Sequence, residues 1–333
     1  MEEVENLQAD ASVFAPQSRI LAAVSSGADS MALLFWLHAS RRDFAVGHVN
    51  HDLHELRNGD CERDETFVRQ KCAALGVPFW ARTVVLPRKD GHVNELVARE
   101  ARYAALLQIA RENGCACVAT AHTATDGLET ALLNLMRGAA PAGWLGIAPT
   151  RFLDAQIRLV RPFWRTPREM TRQILRENGW TWREDESNRD VKFRRNRVRH
   201  EILPLLAAIS GQNCDQIAQS HAGNAQIGRD EANFLERIAL ESLETLILKR
   251  ETNLIALDGI RFRALDVALQ RRVLRLGARH ILPDLRDLEA AKIETARVCI
   301  VSHQKRAVWT WRKALRVEWT GAGAGNRVRF WRV

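Results

Sequence analysis

The sequence predicts an α/β chain in which a doubly wound, mostly parallel sheet is followed by a mainly helical domain. Three observations carry this. Short apolar runs alternate with helical patterns through the first half of the 333 residues. A segment rich in helix and strand breakers (Gly138, Pro141, Gly143, Gly146, Pro149) then ends the alternation. Further on, the pattern becomes amphipathic and helical, and it closes in β-like alternation. The length suits about two domains, each able to bury its own core. We place them at 1–206 and 207–333, with the transition near 200–212.

Strands are expected at 20–24, 44–49, 79–85 and 116–121, each a short apolar run. Helices are expected between and after them at 29–39, 61–75, 94–112 and 126–137. Strand–helix alternation favours parallel strands with helices on both faces, and ligands then sit beyond the carboxyl ends of the strands. The loops 25–30, 50–60 and 121–126 should therefore line one crevice. In the second domain 213–250, 263–280 and 284–297 read as amphipathic helices. The tail, 306–333, alternates through Val308, Trp309, Trp311, Leu315, Val317 and Trp319, with a Gly-Ala-Gly-Ala-Gly turn at 321–325.

Composition narrows the class. Hydrophobic content of 46% with 27% charged residues fits a soluble globular chain. No apolar run approaches the roughly 18 residues that span a bilayer, so no membrane partner is expected. The acidic start, Met1 to Asp10, lacks the basic and apolar regions of a secretory leader. Cys61, Cys72, Cys115, Cys117, Cys214 and Cys299 form neither a C-x-x-C pair nor a zinc pattern. Reduced thiols and a cytoplasmic location follow.

The net charge of +9 is unevenly spread. Residues 1–150 hold 14 Lys+Arg against 18 Asp+Glu, whereas 158–200 hold 13 against 6 and 201–333 hold 21 against 15. An acidic half beside an arginine-rich half points to a polyphosphate partner, nucleic acid above all. A solvated arginine surface is the competing reading. Phe163, Trp164, Trp180, Trp182 and Phe193 interleave with the arginines and suit either base stacking or core packing.

Chemistry concentrates at Val24-Ser25-Ser26-Gly27-Ala28-Asp29-Ser30, between the first strand and first helix. The opening N–H groups of a helix have no intrahelical partner and its dipole favours an anion there. Ser25, Ser26 and Ser30 add hydroxyls, and Gly27 permits close approach. The loop is neither a Walker A loop nor G-x-G-x-x-G; plain helix capping is the alternative. Three further blocks converge on it. His48, Asn50 and His51 stand at the end of the second strand, and Glu95, Arg99 and Arg102 share one helical face. Asp126 and Glu129 lie three apart at a helix start after His122, suited to Mg²⁺ or an ammonium, or to the helix dipole alone.

The ordered motifs S-S-G-A-D-S, H-V-N-H, E-x-x-A-R-x-x-R-Y, A-H-x-x-x-D-x-x-E-T and Arg137-Gly138 resemble those of the tRNA(Ile)-lysidine synthetases. These are N-type ATP pyrophosphatases of the PP-loop family. The likeness continues through Arg161-Pro162-Phe163, Arg168-Glu169, Asp185-Glu186-Ser187-Asn188 and Arg195-Asn196-Arg197-Val198-Arg199-His200 to Pro204, covering residues 18 to 206. Beyond them a weaker likeness to the family's helical linker remains. Ser26 replaces a glycine of the S-G-G-x-D-S loop, Thr125 stands where the family often has a second aspartate, and Gly127 where it has glutamine. A few extra residues fall between His51 and Arg57, and the small C-terminal domain of longer members is not expected here.

The resemblance implies an adenine nucleotide alpha hydrolase-like fold, a PP-loop catalytic domain at 1–206 and a tRNA-binding linker domain at 207–333. It implies an ATP-dependent ligase that joins free L-lysine to C2 of the wobble cytidine in CAU-anticodon tRNA(Ile), through an adenylated tRNA. ATP and Mg²⁺ are the implied cofactors. Ser25, Ser26, Gly27, Ala28, Asp29, Ser30 and His122 would bind ATP, with Asp29 also holding the metal. Asp29, Arg99, Arg102, Asp126 and Glu129 would carry catalysis, and Arg194, Arg195, Arg197 and Arg199 would grip tRNA. His122 suits a structural role equally well. A related tRNA thiolase, a catalytically silent tRNA-binding relative, and a homodimer are carried as further expectations.

Overall fold

The computed structural model describes all residues except 1–6, 52–59, 87, 90, 91, 94, 185–192, 284, 286, 287, 303–305, 313 and 322–324. The expected D-x-S-N segment, the insertion before Arg57 and the middle of the 321–325 turn lie outside the described residues. The chain divides into two compact units, 1–226 and 227–333.

In the first unit β1 (Ile20–Ala23) leads to α1 (Ala28–Ala39), β2 (Phe44–His51), α2 (Asp60–Leu75) and β3 (Phe79–Val84). A two-residue ladder, β4 (Arg88–Lys89) with β5 (His92–Val93), precedes α3 (Glu95–Glu112), β6 (Cys117–Ala119) and α4 (Ala124–Met136). There follow α5 (Pro141–Trp144), β7 (Thr150–Phe152), β8 (Arg158–Val160) and α6 (Arg168–Glu177). The unit continues through α7 (Arg194–Arg197), a π turn at Val198–Ile202, α8 (Leu203–Ser210) and the start of α9 (Cys214–Leu246).

The sheet order is β3-β2-β1-β6-β8-β7, parallel throughout except for β7, which runs against β8. All four expected strands are present. β7 and β8 arise where the sequence showed only breakers and arginines, because three residues per strand give too short a pattern to read. Chain order reverses between β1 and β6, so the loops leaving these two strands diverge and open a crevice.

Period-two alternation builds both faces of the sheet. Ile20, Ala22, Val46, Ala119 and Val160 join one core with α1, while Leu21, Ala45, Val118 and Leu159 join another with Tyr103, Leu106 and Ile109 of α3. Every residue from Met31 to Leu37 is buried, so α1 is apolar around its whole circumference. Trp36 packs against Phe14 and Phe163 at centroid separations of 6.0 and 6.1 Å. Phe163 and Trp164 are thereby core residues.

The second unit contains more β-structure than the tail suggested. Helix α9 ends at Leu246, and Ile247–Glu251 (β9) turns at once into Leu254–Asp258 (β10). Helices α10 (Gly259–Arg263), α11 (Val267–Ile281) and α12 (Ala290–Val301) follow, then β11 (Ala307–Arg312), β12 (Leu315–Trp319) and β13 (Arg327–Arg332). The five strands form an antiparallel sheet ordered β11-β12-β13-β10-β9. The alternation read in the tail is the burial pattern: Trp311, Leu315, Val317, Trp319, Val328 and Phe330 enter the core. Among the described residues no helix is long and apolar enough to cross a membrane.

Gly146 closes the turn that follows α5 with φ +65°, and an added Cβ would lie 2.3 Å from the Gly127 carbonyl oxygen. Gly179 has nearly the same φ, +66°, but open space around it. Urea denaturation should therefore show Gly179→Ala losing only the left-handed penalty of about 1 kcal/mol. Gly146→Ala should lose more than about 2 kcal/mol, because the backbone must also move.

Candidate active site

The turn from β1 into α1 is tied to itself. Ser30 Oγ accepts from the Ser25 N–H at 3.1 Å and shares its own proton between the carbonyls of Ser25 (2.6 Å) and Gly27 (2.9 Å). Gly27 is the N-cap with no side-chain cap, which leaves the N–H groups of the first turn of α1 directed at the crevice. Ser26 is buried, and its backbone lies outside the left-handed region, so serine fits without strain where the family loop has glycine. The Ser25 hydroxyl is exposed and also belongs to the loop, 3.0 Å from Ser30 Oγ and accepting from the Gly27 N–H at 3.4 Å.

Across the crevice, β6 runs into α4 through Thr120-Ala121-His122-Thr123. The Thr123 N–H and hydroxyl donate to Asp126 Oδ2 at 2.8 and 2.9 Å, and the Asp126 N–H returns a 3.4 Å bond to Thr123 Oγ1. This capping box fixes the Asp126 carboxylate. Its other oxygen, Oδ1, accepts from Arg168 Nη2 at 2.6 Å and Arg195 Nη2 at 2.9 Å. The helix-capping reading therefore holds for Asp126, whose other oxygen still faces the crevice.

Arg168, the first residue of α6, joins all three candidate carboxylates. It reaches Asp29 Oδ2 through Nε at 3.3 Å, Asp126 through Nη2, and Glu129 Oε1 through Nη1 at 3.2 Å. Thr171 Oγ1 donates to Asp29 Oδ1 at 2.6 Å. Glu129, with 0% side-chain exposure, also accepts from Arg195 Nε at 2.6 Å and from Arg199 Nε and Nη2 at 2.7 and 3.1 Å. Three carboxylates and three guanidiniums therefore form one charge-balanced lattice, in which Arg168 and Arg195 bridge different carboxylates and Arg199 grips Glu129 with two parallel bonds.

The environment separates the two aspartates. Burial would raise the Asp126 carboxyl, but Arg168 and Arg195 outweigh it and hold it well below the usual carboxylate range. Burial prevails at Asp29, whose carboxyl is raised against the pull of Arg168. His122 is pushed well below the ordinary imidazole range, first by burial and then by the Arg161 charge. It is neutral at pH 7, with Nδ1 2.9 Å from Thr120 Oγ1.

These groups meet at a cavity of about 990 Å³, within the size range of ligand pockets. Residues 25–30, His122, Asp126, Arg102, Arg168 and Arg199 line it. Glu129 lies behind the wall, holding the arginines. Arg99 is exposed and away from the cavity, its guanidinium 5.6 Å from the Tyr103 ring centroid. Among the expected tRNA contacts, Arg195 and Arg199 turn inward onto carboxylates, Arg194 is exposed, and Arg197 pairs with Glu201 at 2.9 Å.

The sequence reading gave Arg168 and Thr171 no role. Arg168 stands in the Arg168-Glu169 motif, but its partners lie far away in sequence and the motif alone does not say what it binds. His48, Asn50, Trp182 and Arg183 also line the cavity.

The PP-loop domain family matches residues 1–206. The chain is 33% identical to the tRNA(Ile)-lysidine synthase of Dehalococcoides mccartyi (strain CBDB1), covering 83% of this chain and 59% of that protein. It is 34% identical to that of Geobacter sulfurreducens, covering 75% and 52%. With that of Nostoc sp. (strain PCC 7120) identity is 31% and coverage is 86% and 85%. The chain thus spans little more than half the length of the first two of these curated relatives, and most of the third. The U34-tRNA thiolase NcsA from Methanococcus maripaludis, solved with its [4Fe-4S] cluster, shares the fold at a TM-score of 0.51 and 12% identity, covering 68% of this chain and 79% of that one.

Two measurements test the lattice. Glu129→Gln leaves buried guanidiniums short of a partner and should destabilise the chain by about 3–5 kcal/mol. Arg197→Ala, on the exposed side, should leave the midpoint unchanged. His122 is neutral when folded, but the unfolded chain binds a proton below about pH 6.5, so acidification favours unfolding. The fall in stability between about pH 6.5 and 5 should therefore flatten in His122→Asn.

Proposed function

Because this chain belongs to the tRNA(Ile)-lysidine synthase family of PP-loop proteins, we propose that it joins lysine to the wobble cytidine of CAU-anticodon tRNA(Ile). The observation that carries this is the meeting, across one cavity at the β1/β6 switch point, of an anion-binding turn with a carboxylate–guanidinium lattice. Such a cavity suits a nucleotide triphosphate on one wall and a cationic amine on the other. tRNA and lysine are the partners, and the cytoplasm is the place of action.

In the first step, the cytidine O2 attacks the α-phosphorus of ATP and pyrophosphate leaves. The N–H groups of Ala28, Asp29 and Ser30 and the Ser25 hydroxyl would receive the phosphates. Arg102 and Arg168 would offset the charge that develops on them. Mg²⁺ bound to phosphates needs only one or two carboxylates, so Asp29, beside the turn, fits as its protein ligand. Among the described residues no larger metal-ligand cluster is present. The ion would screen the phosphate oxygens.

In the second step the lysine ε-amine attacks C2, the C2–N bond forms, the C2–O bond breaks and AMP departs. An ammonium of ordinary pKa about 10.4 must first lose a proton. Asp126, held well below the carboxylate range, is a weak base and suits binding of the ammonium. Asp29 holds the metal in this scheme, so the proton would pass from the amine to solvent in the cavity. Glu129 sets the arginines in place.

The thiolase reading has less support. Cys115 and Cys117 are buried, and burial pushes the Cys117 thiol up to about 12, unlike a ready cluster ligand. Incubation with ATP, labelled lysine and a CAU-anticodon tRNA(Ile) separates the readings. Lysine should enter the tRNA with release of AMP and pyrophosphate; intact tRNA binding without incorporation would overturn the proposal. Asp126→Asn should lower incorporation by about two orders of magnitude at unchanged tRNA affinity.

A further inference from the structure

The phosphate turn is braced by His48 of β2 and by Arg183, both in the cavity wall. Its first residue beyond β1, Val24, presents its carbonyl to His48 Nδ1 at 2.8 Å. A carbonyl only accepts, so this ring nitrogen carries the hydrogen. His48 Nε2 lies 2.9 Å from Asn50 Oδ1, and Asn50 Nδ2 donates to Glu65 Oε2 on α2. Glu65 Oε1 in turn accepts from Arg69 Nη2 at 2.5 Å. His48 and Asn50 are two apart on β2 and therefore share a face of the sheet.

A second strut meets the turn two residues later. The Arg183 N–H donates to the Ser26 carbonyl at 2.9 Å, while Arg183 Nε donates to Asp64 Oδ1 at 2.7 Å. His48 thus holds the Val24 carbonyl directly, and Arg183, anchored on Asp64, holds that of Ser26. With both carbonyls held by these bonds, the N–H groups of the first turn of α1 stay free of them and available to the cavity. Ser26 lacks the left-handed backbone that would fix the turn intrinsically.

We propose that His48 is a positioning residue for the triphosphate. It pins the Val24 carbonyl and thereby fixes the direction of the turn's N–H donors, with the Asp64–Arg183 strut acting in parallel. His48 is buried in the cavity wall, with its ring centroid 6.2 Å from that of Phe79. The inference rests on the ATP-dependent reading of the site.

Two near-isosteric variants separate positioning from mere packing. An asparagine at this position places its amide nitrogen near the imidazole Nδ1, whereas a glutamine reaches toward Nε2. In the full-length chain, His48→Asn keeps the Val24 bond and His48→Gln loses it. Calorimetric titration with a non-hydrolysable ATP analogue should show His48→Asn binding within about twofold of wild type and His48→Gln about tenfold weaker, the loss of one buried hydrogen bond. Thermal midpoints of the two variants should agree. Equal affinities for the two variants, or weaker binding by His48→Asn, would overturn the proposal. Failure of the wild-type chain to bind the analogue would instead overturn the ATP reading on which it rests.

Discussion

Arg168 is the constraint on which the site depends. One guanidinium spans carboxylates from α1 and from two positions of α4, so it locks together the two helices that leave the switch-point strands. Arg195 and Arg199 complete the neutralisation of Glu129 and Asp126. A buried carboxylate without such partners would have to take up a proton, and the capping box alone would not hold Asp126 ionised. The electrostatics of the cavity thus follow from where α6 begins.

The arrangement has a chemical consequence. Equal numbers of carboxylates and guanidiniums keep the lattice close to neutral, yet they place the two signs at fixed points. A triphosphate and a lysine side chain both require such a surface, since each brings charge that the other does not fully cancel. The two aspartates are shifted in opposite directions, Asp29 upward by burial and Asp126 downward by its guanidinium partners. The arginines that the sequence offered to tRNA are partly committed here, so Arg194, and Arg197 beside its Glu201 partner, are the members of that run left on the surface.

Much of the frame was legible in the linear chain because its signals are local. The apolar runs at 20–24 and 44–49, the uninterrupted apolarity of α1 and the alternating tail each register within a single element. The three-residue strands β7 and β8 were not legible, and neither was the hairpin that ends α9. Each is a hairpin joined to its sheet through one strand with a distant partner, β8 with β6 and β10 with β13, and that pairing outweighs a weak local preference.

The sequence alone determined the parallel frame, the turn at 25–30 and the carboxylates at its rim, since periodicity and short motifs are written in neighbouring residues. Only the tertiary structure decided what those carboxylates meet. Arg168 lies far along the chain from Asp29, and Glu129 faces arginines from α7 and the π turn. No local pattern specifies such pairs, because Coulomb and hydrogen-bond energies depend on distance in space and on burial, and both are set by folding.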